Sequence, residues 1–521
     1  MSVDSVRLPH DVLVRILLLC EVGDLFACKQ VCRQLFELVD SDVYLQYKIE
    51  LAINGMVDVS APALSPGVPV VERLEKLRAH GERVRSGQYK DSGSTYSWPL
   101  WPAVPSMPKD DWKAFPAFGS STSYVVVKPQ QQEISVCAPP LQDGDAGMRH
   151  WNISLTEFPA LGAIVGVFLD LAQDLLIVAQ STPDNREVYA YVRSFTKPGQ
   201  PHPVAAGPIL ATRPLVRNDP GDQKLRMTCM QTHCQVVAWL LSVDGKNPCD
   251  AEVWDWKSGH RLWRCHFDHR VTFTFLDRSF LAVTPQIWNS SLHVYRYDPA
   301  PEAEPVSSRA RRHVLELGLP AKDARIQESS IPFPPPCTAI FWPDPKQRIY
   351  VIALGEHSSL LIPYSTFRCL LETLQVTPTP SSEPTSLAWE SWGPDSTLRL
   401  DLERRHHWKT NCCYSYGSRV AVFSFDKDSR SPDCTVVIFD LNPWAVRHAQ
   451  HCPPKTPTNP KVAFGTDRAT LPHLALHGPV VSVGLPGQAP PMLTMDIRGF
   501  TAVFTRYLGW PIFLGSQSFY T

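Results

Sequence analysis

The chain has 521 residues, with 50 Lys and Arg against 51 Asp and Glu, a formal net charge of −1. That balance gives no electrostatic case for a nucleic-acid or acidic-membrane partner. Hydrophobic residues make up 44% and charged residues 19%, an ordinary globular composition, while 49 Pro and 15 Trp point to many short elements joined by loops and favour β over α.

The N-terminal segment reads as helical. Pro9 sits where a first turn tolerates it, and Asp11 places negative charge at the favourable end of the helix dipole. Val12, Leu13, Ile16 and Leu17 form one apolar stripe at helical period. Val22-Gly23 breaks the run, and Asp24 is the expected N-cap of a second helix. On it Leu25, Cys28, Cys32, Leu35 and Val39 recur at steps of three and four. Ser41-Asp42 caps a third helix through Val43, Tyr44, Tyr47 and Leu51, stopped near Gly55. Three short helices in about fifty residues form a marginal core, so the unit is expected to rest on a partner or on the rest of the chain.

The ordered set Leu8-Pro9-x-Asp11-Val12-Leu13, Ile16-Leu17, Asp24-Leu25, Val31-Cys32-Arg33 and Leu35-Phe36 resembles an F-box. Asp11 stands where Glu is commonest, and Leu35 where a Trp is often found. The continuation Tyr44–Leu51, with Gly55-Met56-Val57-Asp58, resembles a group of fungal F-box proteins in which a long β-propeller-like region follows. The resemblance implies binding of a Skp-family adaptor, and through it a cullin. It assigns Leu8, Pro9, Val12, Leu13, Ile16, Leu17, Leu25, Val31, Cys32 and Leu35 to the adaptor-side surface and its support. The alternative is an amphipathic hairpin that only caps the β-region.

Residues 62–69 read as a Pro/Ala/Ser-rich linker, and Val70–Arg85 as a helix with Val71, Leu74, Leu77 and Val84 on one side and a Glu72–Lys76 pair in the favourable order. Gly81 weakens its end. It is expected either to connect the F-box to the main domain as a stiff spacer or to be an ordinary packing helix. Residues 86–116 are Pro-rich and aromatic, with Tyr96, Trp98, Trp101, Trp112 and Phe115, and read as a lead-in packed on the main domain.

From about Ser120 the pattern changes to period two and short apolar runs. Strand pairs return every forty to sixty residues, as in Ile164–Leu169 with Leu175–Gln180, Cys234–Val243 with Asp250–Trp256, and Ile349–Leu354 with Ser359–Pro363. Val253-Trp254-Asp255-Trp256-Lys257-Ser258-Gly259 resembles the outer part of a WD-repeat blade. The expected fold is α+β multidomain: a helical domain over 1–58, a linker with a connecting helix over 59–116, and an all-β domain over 117–521. The β-domain reads as a degenerate propeller of six to eight blades, seven favoured, with a β-sandwich pair as the alternative. Pro198–Asp222, Pro299–Pro336, Val376–Pro384 and Pro443–Thr470 are expected as surface loops.

Chemical signatures are sparse. No phosphate loop or His-Glu-x-x-His occurs. Cys413-Tyr414-Ser415-Tyr416-Gly417 only half-resembles a nucleophile elbow, because Cys413 replaces the first Gly. Cys229, His233 and Cys234, and His448, His451 and Cys452, lack paired zinc spacing. The basic cluster Arg309, Arg311, Arg312 and His313 reads as an exposed loop. Val12–Cys20 is too short to span a bilayer and is interrupted by Arg15. The 14 cysteines are expected as reduced thiols in an intracellular chain of the cytoplasm or nucleus.

Three functions are consistent with these residues. The first is a non-catalytic substrate receptor of a cullin ubiquitin ligase, with no cofactor or metal. The second is a non-ubiquitin interaction scaffold. The third is a propeller-based metal-dependent hydrolase, which would need converging carboxylates such as Asp170, Asp174, Asp244, Asp255 and Asp298.

Overall fold

In this computed structural model the described residues are 8–59, 68–86, 90–97 and, with breaks between strands, 124–518. Helix α1 runs His10–Leu19, directly after Pro9, whose carbonyl accepts from the Val12 and Leu13 N–H groups. α2 (Val22–Val31) and α3 (Arg33–Ser41) replace the single second helix expected over this stretch. Cys32 is extended, with φ −157° and ψ 161°, and divides them. The break turns Leu38 and Val39 into the core that Leu25 enters from α2, and leaves Cys32 exposed. Asp24 lies inside α2, not before it, and accepts from the Glu21 N–H at 3.2 Å. α4 (Val43–Asn54) is capped as expected: Asp42 accepts from the Tyr44 and Leu45 N–H groups, and Gly55 ends the helix at φ 66°.

The eight residues Leu17, Val22, Leu25, Leu38, Val39, Leu45, Ile49 and Ile53 make one small core. Lys48 Nζ donates to the carbonyls of Leu18 and Cys20, placing a cation at the negative end of α1. α5 (Val70–Ser86) lies against α4 with Leu74, Leu77, His80, Gly81 and Val84 buried. Val71 is exposed, contrary to the expected stripe. Gly81 lies inside α5 against α4, where an added Cβ would stand 2.3 Å from Asn54 Oδ1.

Among the described residues the β-region holds seven sheets, roughly in chain order, besides the strand Phe341–Pro343 that pairs with the helical module. Sheet 1 has three strands, Tyr124–Lys128, Glu133–Ala138 and Arg149–Ser154. Sheet 2 has Ile164–Asp170, Leu175–Ser181, Val188–Ser194 and Ile209–Thr212. Sheet 3 has Leu225–His233, Val236–Val243, Cys249–Asp255 and His260–Phe267. Sheet 4 is the meander Val271–Phe275, Phe280–Pro285, Ser291–Arg296 and His313–Gly318, extended by the parallel strand Thr385–Leu387. Sheet 5 holds Ala324–Gln327, Ile349–Leu354, Ser358–Pro363, Leu398–Leu402 and Phe464–Gly465. Sheet 6 holds Cys413–Tyr416, Arg419–Phe425, Asp433–Asp440 and Leu474–Ser482. Sheet 7 takes Met492–Asp496, Gly499–Phe504 and Phe513–Ser518 from the far end and completes them with Lys90–Ser97.

Successive sheets stack face to face. The central strand of sheet 2 shows why its sequence is an unbroken apolar run. Leu176 and Val178 pack toward sheet 1, Leu175, Ile177 and Ala179 toward sheet 3, and every residue of Leu175–Ser181 is buried. The same stacking continues from sheet 3 to 4, 4 to 5 and 5 to 6. Mostly antiparallel sheets of three to five strands, of which sheets 2 to 5 bury both faces against their chain neighbours, resemble a propeller and not the two-sheet sandwich kept as the alternative.

Several segments expected as loops carry structure. Residues 198–222 include the strand Ile209–Thr212, and residues 299–336 include His313–Gly318 and Ala324–Gln327. α6 (Tyr364–Val376) and the short α7 (Trp389–Trp392) cover sheets 4 and 5 through Phe367, Leu371 and Trp392. α8 (Pro443–His451) opens the stretch expected as a loop over Pro443–Thr470. Asn442 Oδ1 accepts from the Trp444 N–H at 2.9 Å, so Asn-Pro acts there as a helix start. Among the described residues no helix is long and apolar enough to cross a membrane.

Candidate docking surface

α1 is apolar on two sides. Leu17 enters the helical core, with Leu13 half-buried beside it. Val12, Ile16 and Leu19, at steps of four and three, line the other side and face solvent, continued by Leu8 and Pro9. Leu19 is 89% exposed. Val31, at 73%, ends α2 equally bare, with Cys32 and Phe36 following. Lys29 lies 4.9 Å from the Phe36 ring centroid and is held by Asp40 at 2.6 Å.

The ten residues assigned from sequence therefore divide. Leu8, Pro9, Val12, Ile16, Val31 and Cys32 are exposed, Leu17 and Leu25 are buried support, and Leu13 and Leu35 are half-buried at the margin. Leu19 and Phe36 belong with the exposed group. Leu19 could have been found, since it continues the Val12–Ile16 row by one further turn.

This surface is held in a fixed position on the β-region. Met56–Asp58 pairs antiparallel with Phe341–Pro343, and the Asp344 N–H donates to the Gly55 carbonyl at 2.9 Å. Asn442 Nδ2 donates to the carbonyls of Ala52 and Ile53 at 2.7 and 2.9 Å, closing the C-terminal end of α4. Arg419 Nε donates to Asp440 at 3.0 Å, and its Nη atoms reach the Asn54 carbonyl at 3.3 Å and His80 Nε2 at 3.4 Å. Burial holds the His80 imidazole well below its usual pKa, and Arg419, Arg83 and Arg85 push the same way, so it is a neutral acceptor. From α8, Trp444 stacks on Phe26 with ring centroids 5.7 Å apart. α5 is thus packed between α4 and sheet 6, with Val84 in the core that sheets 5 and 6 share, and does not stand off as a spacer.

The described carboxylates considered for metal chemistry are engaged by backbone N–H and hydroxyl groups. Asp170 accepts from the Ala172 and Gln173 N–H groups, Asp174 from Ser194 Oγ and the Thr196 N–H, and Asp255 from the Lys257 and Ser258 N–H groups. Asp244 and Asp298 lie outside the described residues, as do Trp98, Trp101, Trp112, Phe115, Arg309, Arg311, Arg312 and Cys452. Ser415 is buried inside the strand Cys413–Tyr416. Burial lowers the His233 pKa to about 3 and raises that of the Cys234 thiol. Among the described residues no three His, Cys, Asp or Glu side chains are grouped to hold a metal ion.

A family model described as F-box-like matches residues 6–51, the span of α1 to α4 apart from its last turn. The chain thus joins an F-box-like domain to a propeller-like β-region. A comparison with curated proteins finds no match. Similar solved structures include Kluyveromyces lactis Hsv2, at 9% identity over 74% of this chain and 88% of that one, with a TM-score of 0.37. They also include the WD40 domain of Toxoplasma gondii coronin, at 7% identity over 82% and 86%, with a TM-score of 0.36. The β-propeller domain of the Trilobed protease from Pyrococcus furiosus is similar at 7% identity over 77% and 94%, with a TM-score of 0.32.

Proposed function

We propose that the chain is the substrate-recruiting subunit of a Skp–cullin–F-box ubiquitin ligase, acting in the cytoplasm or nucleus. The observation that carries this reading is the bare apolar row Leu8, Val12, Ile16 and Leu19 on a domain that matches the F-box pattern. Monomeric helices do not leave such a row uncovered without cost, and a partner helix set is what it fits. The propeller-like region supplies the second binding partner. The continuation through Tyr44–Leu51 and Gly55–Asp58 supports the fungal type.

The mechanism is proximity. The adaptor holds α1 to α3, the β-region holds a protein target, and ubiquitin transfer gains from the raised local concentration of target. The packed contact of α4 and α5 with sheet 6 keeps the two partners at one distance and angle, which is what effective concentration requires. No group of this chain has to touch reacting atoms.

The test is a pull-down of recombinant Skp-family adaptor by the full-length chain, by Leu8→Ala/Pro9→Ala and by Ile16→Asp. Retention by the wild type and loss in both variants, all three melting alike, is the expected result. A folded wild type that retains no adaptor would overturn the reading.

A further inference from the structure

The sequence reads His313 as the end of an exposed basic loop, and His293 belongs to no motif. The structure brings the two together. His293 lies on the third strand of sheet 4, and His313 opens the fourth. The register shifts between Val294 and Tyr295, so that Val294 pairs with Leu315 while Tyr295 pairs with His313. Val314 is the extra residue of this bulge, a device by which a strand re-aims a side chain. His293, Tyr295, His313 and Glu316 consequently share one face, the one that meets sheet 3. His313 stacks on Tyr295, with ring centroids 4.9 Å apart and planes at 24°. Tyr295 is in turn packed by Trp263 at 5.3 Å and Phe267 at 6.0 Å, so the floor under the imidazoles is fixed.

His293 Nδ1 and His313 Nε2 stand 3.1 Å apart, and the Leu315 carbonyl oxygen is 3.1 Å from the same Nε2. On the far side of the His293 ring, Nε2 is 2.9 Å from Ser291 Oγ. With the ring proton on Nε2 and donated to Ser291 Oγ, His293 Nδ1 presents a lone pair. Three lone-pair atoms then share at most one proton, that of His313 Nε2, and both of its contacts are at the long end of the hydrogen-bond range. The same three atoms suit a cation. At metal–nitrogen distances of about 2.0–2.1 Å, two neighbouring nitrogens lie about 2.9 Å apart at a right angle and about 3.3 Å apart in a tetrahedron. The observed separation falls between these values. Both imidazoles are half-buried and so reachable from solvent, and Glu316, the cross-strand partner of His293, adds negative charge on the same face.

We propose that His293 Nδ1, His313 Nε2 and the Leu315 carbonyl form a binding site for one divalent transition-metal ion of the Zn²⁺, Cu²⁺ or Ni²⁺ class, with Ser291 orienting the His293 ring from behind. Imidazole donors select these ions over Mg²⁺ and Ca²⁺, which take oxygen. Two side-chain ligands are fewer than a structural zinc site uses, so water fills the remaining positions and the ion exchanges with solvent. The ion ties Ser291–Arg296 to His313–Gly318, the third and fourth strands of sheet 4. The site lies in the β-region, away from α1, and is independent of the ligase reading.

The test uses the full-length chain stripped with a chelator. In equilibrium dialysis against Zn²⁺ the wild type is expected to hold one equivalent more than His293→Gln/His313→Gln, with no such difference against Mg²⁺. Ser291→Ala keeps both imidazoles and should weaken that equivalent about tenfold. Zn²⁺ should also raise the melting temperature of the wild type by more than that of the double variant. A second measurement needs no substitution, and so decides the matter even where the double variant does not fold. Diethylpyrocarbonate labelling of the wild type, mapped by peptide mass spectrometry, should fall severalfold at His293 and His313 when Zn²⁺ is present and stay unchanged with Mg²⁺. Equal Zn²⁺ uptake by the wild type and a folded double variant would overturn the site. So would equal labelling of both histidines with and without Zn²⁺, and the pair would then be a hydrogen bond between strands and nothing more.

Discussion

The two faces of the helical module contrast in chemistry. The outward face of α1 is apolar and bare, with Val12, Ile16 and Leu19 in a row. The inward face, where α4 and α5 meet sheet 6, is rich in polar groups and closed, with Arg419, Asp440, Asn442, Asn54 and His80 all buried. A fold that only needed stability would place these sets the other way round. Hydrogen bonds with fixed geometry hold one orientation, whereas an apolar face accepts a partner without a directional requirement. The contrast separates a bare apolar surface from a closed polar joint.

The largest effect should come from opening the joint. Asp440→Ala leaves the Arg419 guanidinium buried without its carboxylate and is expected to destabilise the chain by about 3–5 kcal/mol in a denaturant titration. Arg419→Met/Asp440→Leu removes both charges and should recover most of that loss. If Asp440→Ala melts like the wild type, the joint is not closed in solution.

A smaller effect follows from acid. His80 has a folded pKa well below the unfolded value, so the unfolded state binds the extra proton. Stability contributed by the neutral form is present above about pH 6.5 and is lost as the pH falls below it, at up to about 1.4 kcal/mol per pH unit. His233, lowered to about 3, and His293, lowered to about 4, add to the same slope. His80→Gln should flatten its share of the loss in melts between pH 7 and pH 5. An unchanged slope would place His80 in contact with water.

The smallest stability effect belongs to the outward face. Ile16→Asp and Leu19→Asp should shift unfolding by no more than about 0.5 kcal/mol, as for exposed positions elsewhere. Their adaptor affinity should nevertheless fall at least about tenfold, read by surface plasmon resonance or pull-down. A large stability loss in either variant would mean that this row is part of the core.

The outward face was legible in the sequence because it depends on local period. Leu8 to Leu17 is a pattern of spacing, and spacing survives without knowledge of the partner. The strands Ile164–Asp170, Leu175–Ser181 and Ile349–Leu354 were readable for the same reason, each being a short apolar run. The division of α2 from α3 at Cys32 was not, since the stripe Leu25–Cys28–Cys32–Leu35–Val39 is also that of one unbroken helix. Nor was the joint. Asn442 meets the carbonyls of Ala52 and Ile53 from 390 and 389 residues away, and Arg419 meets Asn54 from 365, separations at which no local rule operates.

Sheet 7 joins Lys90–Ser97 to Phe513–Ser518. The two strands lie roughly 420 residues apart, which at 5–20 residues per second puts about 20–80 s of synthesis between them. Throughout that interval the first strand is outside the ribosome without its neighbour, and α1 to α3 have already emerged. The F-box-like face is therefore offered before sheet 7 is complete. Pulse-labelled nascent chains should accordingly be the earliest species that adaptor beads retain.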